Sequence, residues 1–234
     1  MYQPVTGSTN DDALLAARSG APHGSVFLAD EQTAGRGRRG HHWLAAPGES
    51  LLFSVLLRPK LELAHVSALT LAVGLALRDA VGPLITALPE LKWPNDLLVN
   101  KRKLAGVLVE SQLQGEALQA VVVGVGLNVA TREFQPEIAA TATSLALLGA
   151  TRLAPEPLLF ELLDAIDARL DAYQSRGVAG ILSELNAADA LRGERVRVGE
   201  TTGLGRGLDE QGCLLIEDEH ERVHRVLSGT VELL

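Results

Sequence analysis

"LKWPNDLLVNKRKLAGVLVE", residues 91–110, sets two apolar runs on either side of a short cationic knot, and its reading decides the fold class. Pro94 forces Trp93 extended, and "LKWPNDLLV" is a strand. "NKRK" (100–103) turns the chain, and "KLAGVLVE" (103–110) returns as a second strand. That is a hairpin rather than half of a βαβ unit. Downstream, "LQAVVVGVGLNVA" (118–130) is too apolar for a sheet with a wet face, so both its faces are covered. Upstream, "SVFLADEQ" (25–32) and "SLLFSVLLRP" (50–59, stopped by Pro59) are further strands. Ser8 or Thr9 caps a helix running to about Ser19, with Asp11 and Asp12 at its positive end. Residues 63–82 form a long helix of small residues. Another runs from about Pro155 to Ser175, with Leu158, Leu159, Leu162, Leu163, Ile166 and Leu170 at helical spacing. Hairpins mixed with separate helices make this segment α+β. From Leu191 on, short strands alternate with glycine turns, as in a small barrel. The boundary falls near 189, giving domains 1–188 and 189–234.

The composition excludes several classes. The 234 residues are 47% apolar and 21% charged, enough for a sizeable core. A formal net charge of −8 argues against a dedicated duplex-DNA binder. The N-terminus has neither the basic nor the apolar region of a signal peptide, and the most apolar run, Val66 to Leu77, is too short to span a bilayer. The single cysteine, Cys213, excludes an internal disulfide and suits a reducing cytoplasm; it belongs in the barrel core. No histidine pair has metal-ligand spacing, so no resident metal is expected.

On this acidic body, residues 35–40 hold three arginines and three glycines in a row. Glycines let backbone N–H groups converge, and guanidinium forks grip phosphate oxygens. The spacing is neither a Walker loop nor a dinucleotide fingerprint, so the loop is a phosphate site of unspecified owner. Lys103 opens a return strand and is aimed along the sheet toward a pocket, with Gly106 leaving room beside the backbone. Lys101 and Arg102 are solvated. Gly124 and Gly126 interrupt a buried strand, marking close approach of a ligand or of a packed helix. Trp43 and Trp93, the only tryptophans, both fall inside these polar motifs, which favours pocket lining over bulk core.

Taken in order, "STND", "GRGRRGHHW", "KWPNDLLV", "KLAGVLVE" and "VGVGLNV" resemble the biotin protein ligases along essentially the whole chain. GRGRRG and KWPND followed by KLAG are specific as a set. The resemblance implies a catalytic domain akin to class II aminoacyl-tRNA synthetases, with a mixed sheet and helices, followed by an SH3-like barrel. It implies two steps: biotin and MgATP give biotinyl-5′-AMP and pyrophosphate, and a lysine of a biotin carboxyl carrier protein then takes the biotinyl group. By that carry-over Ser8, Thr9, Asn10 and Gln32 bind the ureido head of biotin. Gly35, Arg36, Gly37 and Arg38 close over carboxylate and phosphate, with Gly106 beside the substrate. Trp43 packs on adenine, Arg39, His41, Lys92, Asn95 and Asn128 lie near the nucleotide, and Lys103 neutralises the reacting carboxylate and α-phosphate. Asp96 orients the acceptor ammonium.

Two points depart from the family pattern. His41 stands where the family often has arginine, and only seven residues precede Ser8, which matches the monofunctional class without a winged helix. A homodimer is allowed; no nucleic acid or membrane is expected as partner. The rivals are a lipoate–protein ligase, which shares the adenylate logic, a non-catalytic ligand-binding regulator, and an inactive phosphate-binding module. Lys103 and Arg38 together disfavour the last.

Overall fold

The computed structural model describes the whole chain, residues 1–234, save the side chain of Ala64. Its strands are β1 (Tyr2–Thr6), β2 (Ser25–Gln32), β3 (Ser50–Leu57), β4 (Glu90–Lys92), β5 (Asp96–Val99), β6 (Arg102–Gln114) and β7 (Ala117–Asn128), then β8 (Arg195–Val198), β9 (Thr201–Leu208), β10 (Leu214–Glu217), β11 (Val223–Val226) and β12 (Glu232–Leu233). The helices are α1 (Thr9–Arg18), α2 (Leu63–Val66), α3 (Leu69–Val81), α4 (Pro155–Arg176) and α5 (Leu182–Ala188). The first seven strands form one sheet in the order β1-β2-β3-β7-β6-β5-β4, and the last five form a second, β11-β10-β9-β8-β12. β1 and β2 run parallel and the other pairs of the large sheet antiparallel, so that sheet is mixed. The small sheet is antiparallel throughout.

The period of two along β7 explains why both faces are covered. Val121, Val123, Val125 and Leu127 point into the main core, together with Leu51, Phe53 and Val55 of β3 and the buried side of α3. Ala120 and Val122 point the other way and pack with Ala13 and Ala17 of α1. Further along this second face come Gly124 and Gly126. Gly126 is paired with Gly106 of β6, which is paired in turn with Asp96 of β5. The glycines therefore leave a hollow beyond the start of α1.

Three expectations need correction. Residues 63–82 are not one helix: α2 and α3 are separated at Ser67–Ala68, where the Thr70 hydroxyl donates to the Ser67 carbonyl (2.8 Å). Ser67 keeps helical dihedrals, φ −64° and ψ −36°, so the break is in hydrogen bonding and not in course. "LKWPNDLLV" is two strands, because Pro94 has no N–H to give a ladder and the chain turns there, pairing Lys92 with Asp96. Trp93 is a core residue, 4% exposed. Its ring touches the main cluster and its Nε1 donates to the Gly212 carbonyl (3.0 Å) of the small sheet's segment. β1 is a strand the pattern did not announce; it carries Pro4 on the sheet's edge. Cys213 is buried and unpaired.

The two sheets share one core. Val196, Val198, Leu214, Ile216 and Val231 of the C-terminal part belong to the same hydrophobic cluster as α3 and α4. Among the described residues, no helix is long and apolar enough to cross a membrane.

Candidate active site

The hollow is the floor of a cavity of about 330 Å³. The start of α1 closes one end, and the loop after β2 arches over it. That loop is itself folded: Arg36 and His42 form an antiparallel bridge, Gly37 N–H donates to the His41 carbonyl (2.7 Å) and Trp43 N–H to the Gly35 carbonyl (3.0 Å). At its tip Arg39 and Gly40 take left-handed dihedrals, φ 53° and 77°. A side chain at Gly35 would meet the Trp43 carbonyl at 2.8 Å, so glycine is required where the loop closes.

Trp43 returns from the loop into the cavity. A Cβ at Gly126 would lie 2.5 Å from its indole, and one at Gly106 3.1 Å from both the indole and the Lys103 ammonium. The two glycines are the space that the tryptophan and the lysine occupy. Lys103 Nζ sits 5.4 Å from the Trp43 ring centroid and 2.7 Å from Asp96 Oδ1. Beneath it, Lys103's backbone is clamped by N–H donation to Thr141 (2.7 Å) and acceptance from Thr143 (2.9 Å). A rigid root suits a charge that must act at one point.

The arginines divide their work. Arg36 bridges two carboxylates, Asp11 (2.8 Å) and Glu110 (2.5 Å). Among the described residues, Arg38 has no carboxylate at ion-pair distance; burial first, then the neighbouring Arg39, pushes its guanidinium below the usual range, with Asp96 pulling the other way. A half-buried cation without a bound partner is a site for an anion. Arg39 donates to the Ser228 hydroxyl (3.4 Å), and the adjacent segment Gly229–Val231 edges the cavity.

At the opposite end, Thr9 gives its N–H to Gln32 Oε1 (2.8 Å), and Asn10 lies against β7: a Cβ at Gly124 would be 2.0 Å from Asn10 Oδ1. Ser8 holds the N-cap position of α1, yet its side chain makes no capping bond, so its hydroxyl stays with the cavity it lines.

Of the residues singled out from sequence, Ser8, Thr9, Asn10, Gln32, Arg36, Gly37, Arg38, Arg39, His41, Trp43, Lys92, Asn95, Asp96, Lys103 and Gly106 all line this one cavity, and so does Trp93 from its place in the core. Two do not. Gly35 is buried at the base of the loop, where its role is closure. Asn128 is 5% exposed and commits its amide to the Thr143 carbonyl (2.9 Å) and the Ser50 hydroxyl (3.4 Å). It tethers the segment behind Lys103 and does not line the cavity. Sequence reasoning missed Ser54, Glu110 and the 229–231 segment. Ser54 carried a signal, a lone hydroxyl inside the apolar run of β3; the tail carried none, because only the packing of the second sheet brings it here. No group of three or more His, Cys, Asp or Glu among the described residues could hold a metal ion.

The pattern of the biotin/lipoate A/B protein ligase family matches residues 2–128, and the chain belongs to that family. It is similar to the biotin–[acetyl-CoA-carboxylase] ligase of Mycobacterium tuberculosis, 38% identical over 91% of this chain and 80% of that protein. The solved structure of the biotin protein ligase from Aquifex aeolicus in complex with biotin and ATP superposes with a TM-score of 0.86 at 31% identity, covering 100% of this chain and 97% of that one. The Leishmania major biotin protein ligase in complex with biotinyl-5-AMP does so at 0.63 and 26% identity, covering 100% and 97%.

Proposed function

We infer that the chain is an ATP-dependent biotin protein ligase. The observation that carries this is the convergence, in one cavity, of the arginine loop, the Lys103–Asp96 pair and the polar start of α1, within a chain of this family. In the first step a biotin carboxylate oxygen attacks the α-phosphorus of MgATP and pyrophosphate leaves. In the second a carrier lysine, having lost a proton, attacks the acyl carbon and AMP leaves.

Both partners of the first step are anions, so their approach is uphill until a fixed cation screens them. Lys103 and Arg38 supply that charge. Ser8, Thr9 and Gln32 take the ureido ring at the far end, Trp43 the adenine face, and Lys92 and Asn95 the nucleotide's polar edge. Arg36 and Gly37 close the loop. Asp96 holds Lys103 beforehand and receives the acceptor ammonium afterwards. The acceptor is the biotin carboxyl carrier domain of a biotin-dependent carboxylase. Residues 1–188 form the catalytic unit, akin to class II aminoacyl-tRNA synthetases, and 189–234 an SH3-like barrel whose tail edges the site.

Incubation with MgATP and either biotin or lipoate tests the reading. Pyrophosphate should appear with biotin alone, and a carrier domain should then become labelled on one lysine. Release with lipoate alone would overturn it in favour of the lipoate branch of the family.

A further inference from the structure

Glu110 lies behind two residues that line the cavity, Asn10 and Arg36, and has none of the roles expected from the motifs. Its Oε2 accepts from Asn10 Nδ2 (2.8 Å) and from Arg36 Nη2 (2.5 Å). An ionised carboxylate only accepts, so the Asn10 amide must turn its nitrogen to Glu110 and its oxygen inward. There Asn10 Oδ1 meets the hydroxyl of Ser54 (2.6 Å), a residue with no exposed surface that is paired across the strands with Gly124. Ser54 Oγ is 2.8 Å from Thr9 Oγ1, which is 3.1 Å from Gln32 Oε1.

These three oxygen–oxygen contacts share two hydroxyl protons. Asn10 can only accept at its oxygen, so the Ser54 proton goes to it. Ser54 then has only lone pairs for Thr9, and of the two acceptors in reach of the Thr9 proton the nearer takes it, Ser54 Oγ at 2.8 Å rather than Gln32 Oε1 at 3.1 Å. The longest contact, to Gln32, is left without a proton, and Gln32 Oε1 is still satisfied by the Thr9 N–H. The Thr9 hydroxyl therefore has no proton for the cavity.

We propose that Glu110 is a specificity-determining positioning residue: through Asn10 and Ser54 it makes the Thr9 hydroxyl an acceptor only, so the site selects a ring N–H over a ring oxygen. This rests on the reading that Thr9 and Gln32 hold the ureido ring of biotin. A urea ring offers two N–H donors beside its carbonyl; a cyclic carbamate offers an acceptor in place of one of them, and in this pocket acceptor would face acceptor. The dithiolane of lipoate has no donor at all.

The test uses the full chain, biotin, and the two cyclic carbamates in which one or the other ring N–H is replaced by oxygen. Binding is measured by calorimetry without ATP, and KM and kcat by pyrophosphate release. The parent should bind one carbamate about 10- to 100-fold more weakly than biotin, the range set by an unsatisfied buried polar group. Glu110→Leu leaves the Asn10 amide nitrogen only a long contact to the Leu108 carbonyl (3.5 Å) and so lets it turn, and Ser54→Ala removes the nearer acceptor of the Thr9 proton. Both should erase most of that ratio by improving carbamate binding, with kcat held within about threefold, less than the roughly fivefold of one typical hydrogen bond. Glu110→Gln keeps a carbonyl acceptor and should retain the parent ratio.

An unchanged ratio in Glu110→Leu and Ser54→Ala overturns the relay. A Glu110→Gln protein that behaves like Glu110→Leu overturns it as well, because charge on Arg36 would then be the cause. Equal weakening of both ligands means a merely structural role. If Glu110→Leu fails to melt cooperatively, Ser54→Ala alone decides. A parent that binds no biotin fails the underlying reading instead, and is told apart by that.

Discussion

Lys103 and Arg38 are both cations in the cavity, but one is rooted on β6 and the other rides on the loop. A fixed charge stabilises the transition state, whereas a loop charge acts mainly by closure. Lys103→Ala should lower single-turnover pyrophosphate release by about 10²–10³, as removal of one preorganised group does. Arg38→Gly should still form the adenylate but lose it on a desalting column, labelling nearby lysines indiscriminately. Parent-like retention by Arg38→Gly, or a parent-like rate for Lys103→Ala, would refute this division. Gly124 belongs to the same scale. A methyl there would lie 2.0 Å from Asn10 Oδ1, an atom held by Ser54 on one side and by its own amide's bond to Glu110 on the other. Gly124→Ala should therefore cost about 1–3 kcal/mol by overpacking, visible in the melting temperature, and biotin affinity should fall with it. The glycine pair was legible in the sequence as a place of close approach. Which groups approach, Asn10 at Gly124 and Trp43 at Gly126, was not, because both come from segments about a hundred positions away.

At the scale of elements, the join between α5 and the small sheet carries a pH signature. Asp189 sits just past α5, bridged to Leu91 of β4. Burial pushes its carboxyl up to about 6, opposed by the Leu191 N–H and by Arg192. Its Oδ1 accepts from Leu191 (2.9 Å), and its Oδ2 is buried with no partner among the described residues. The folded pKa lies above the unfolded one, so the proton is bound more tightly in the folded chain. Stability is then greatest below about 4, falls as pH rises to about 6, and is level above. Asp189→Asn keeps the acceptor for Leu191 and removes the charge. It should stabilise by up to about 3 kcal/mol at pH 8, raising the melting temperature by several degrees at about 2–4 °C per kcal/mol. At pH 4 the gain should vanish. Equal melting temperatures for parent and variant at pH 8 would place a compensating group at Oδ2.

At the scale of the molecule, the two sheets are joined by a common core and by the Trp93–Gly212 hydrogen bond. Gly212 itself lies against α3: a side chain there would come within 2.9 Å of Leu71. The C-terminal part also reaches the site, through Ser228 and the residues after it. A chain cut after residue 188 should therefore expose apolar surface, lose cooperative melting and aggregate. The 189–234 piece should give the collapsed amide dispersion of an unfolded peptide in a proton–nitrogen spectrum. A well-dispersed spectrum from either piece alone would make them independent domains.

Local pattern alone determined most of the elements here. Proline and glycine punctuation marked the ends of β3 and α4, the alternating and continuous apolar runs separated exposed from covered strands, and arginines set among glycines announced an anion loop. These are near-neighbour effects, governed by dihedral sterics and by which faces must leave water. Tertiary structure decided what no local rule carries. It broke 91–99 into two strands, took Trp93 into the core and Asn128 away from the cavity, and turned Arg36 onto Asp11 and Glu110. The reason is that a polar side chain's partner is chosen by the register of strands far apart in sequence. Ser54 meets Asn10 only because β3 pairs with β7 and α1 lies across both.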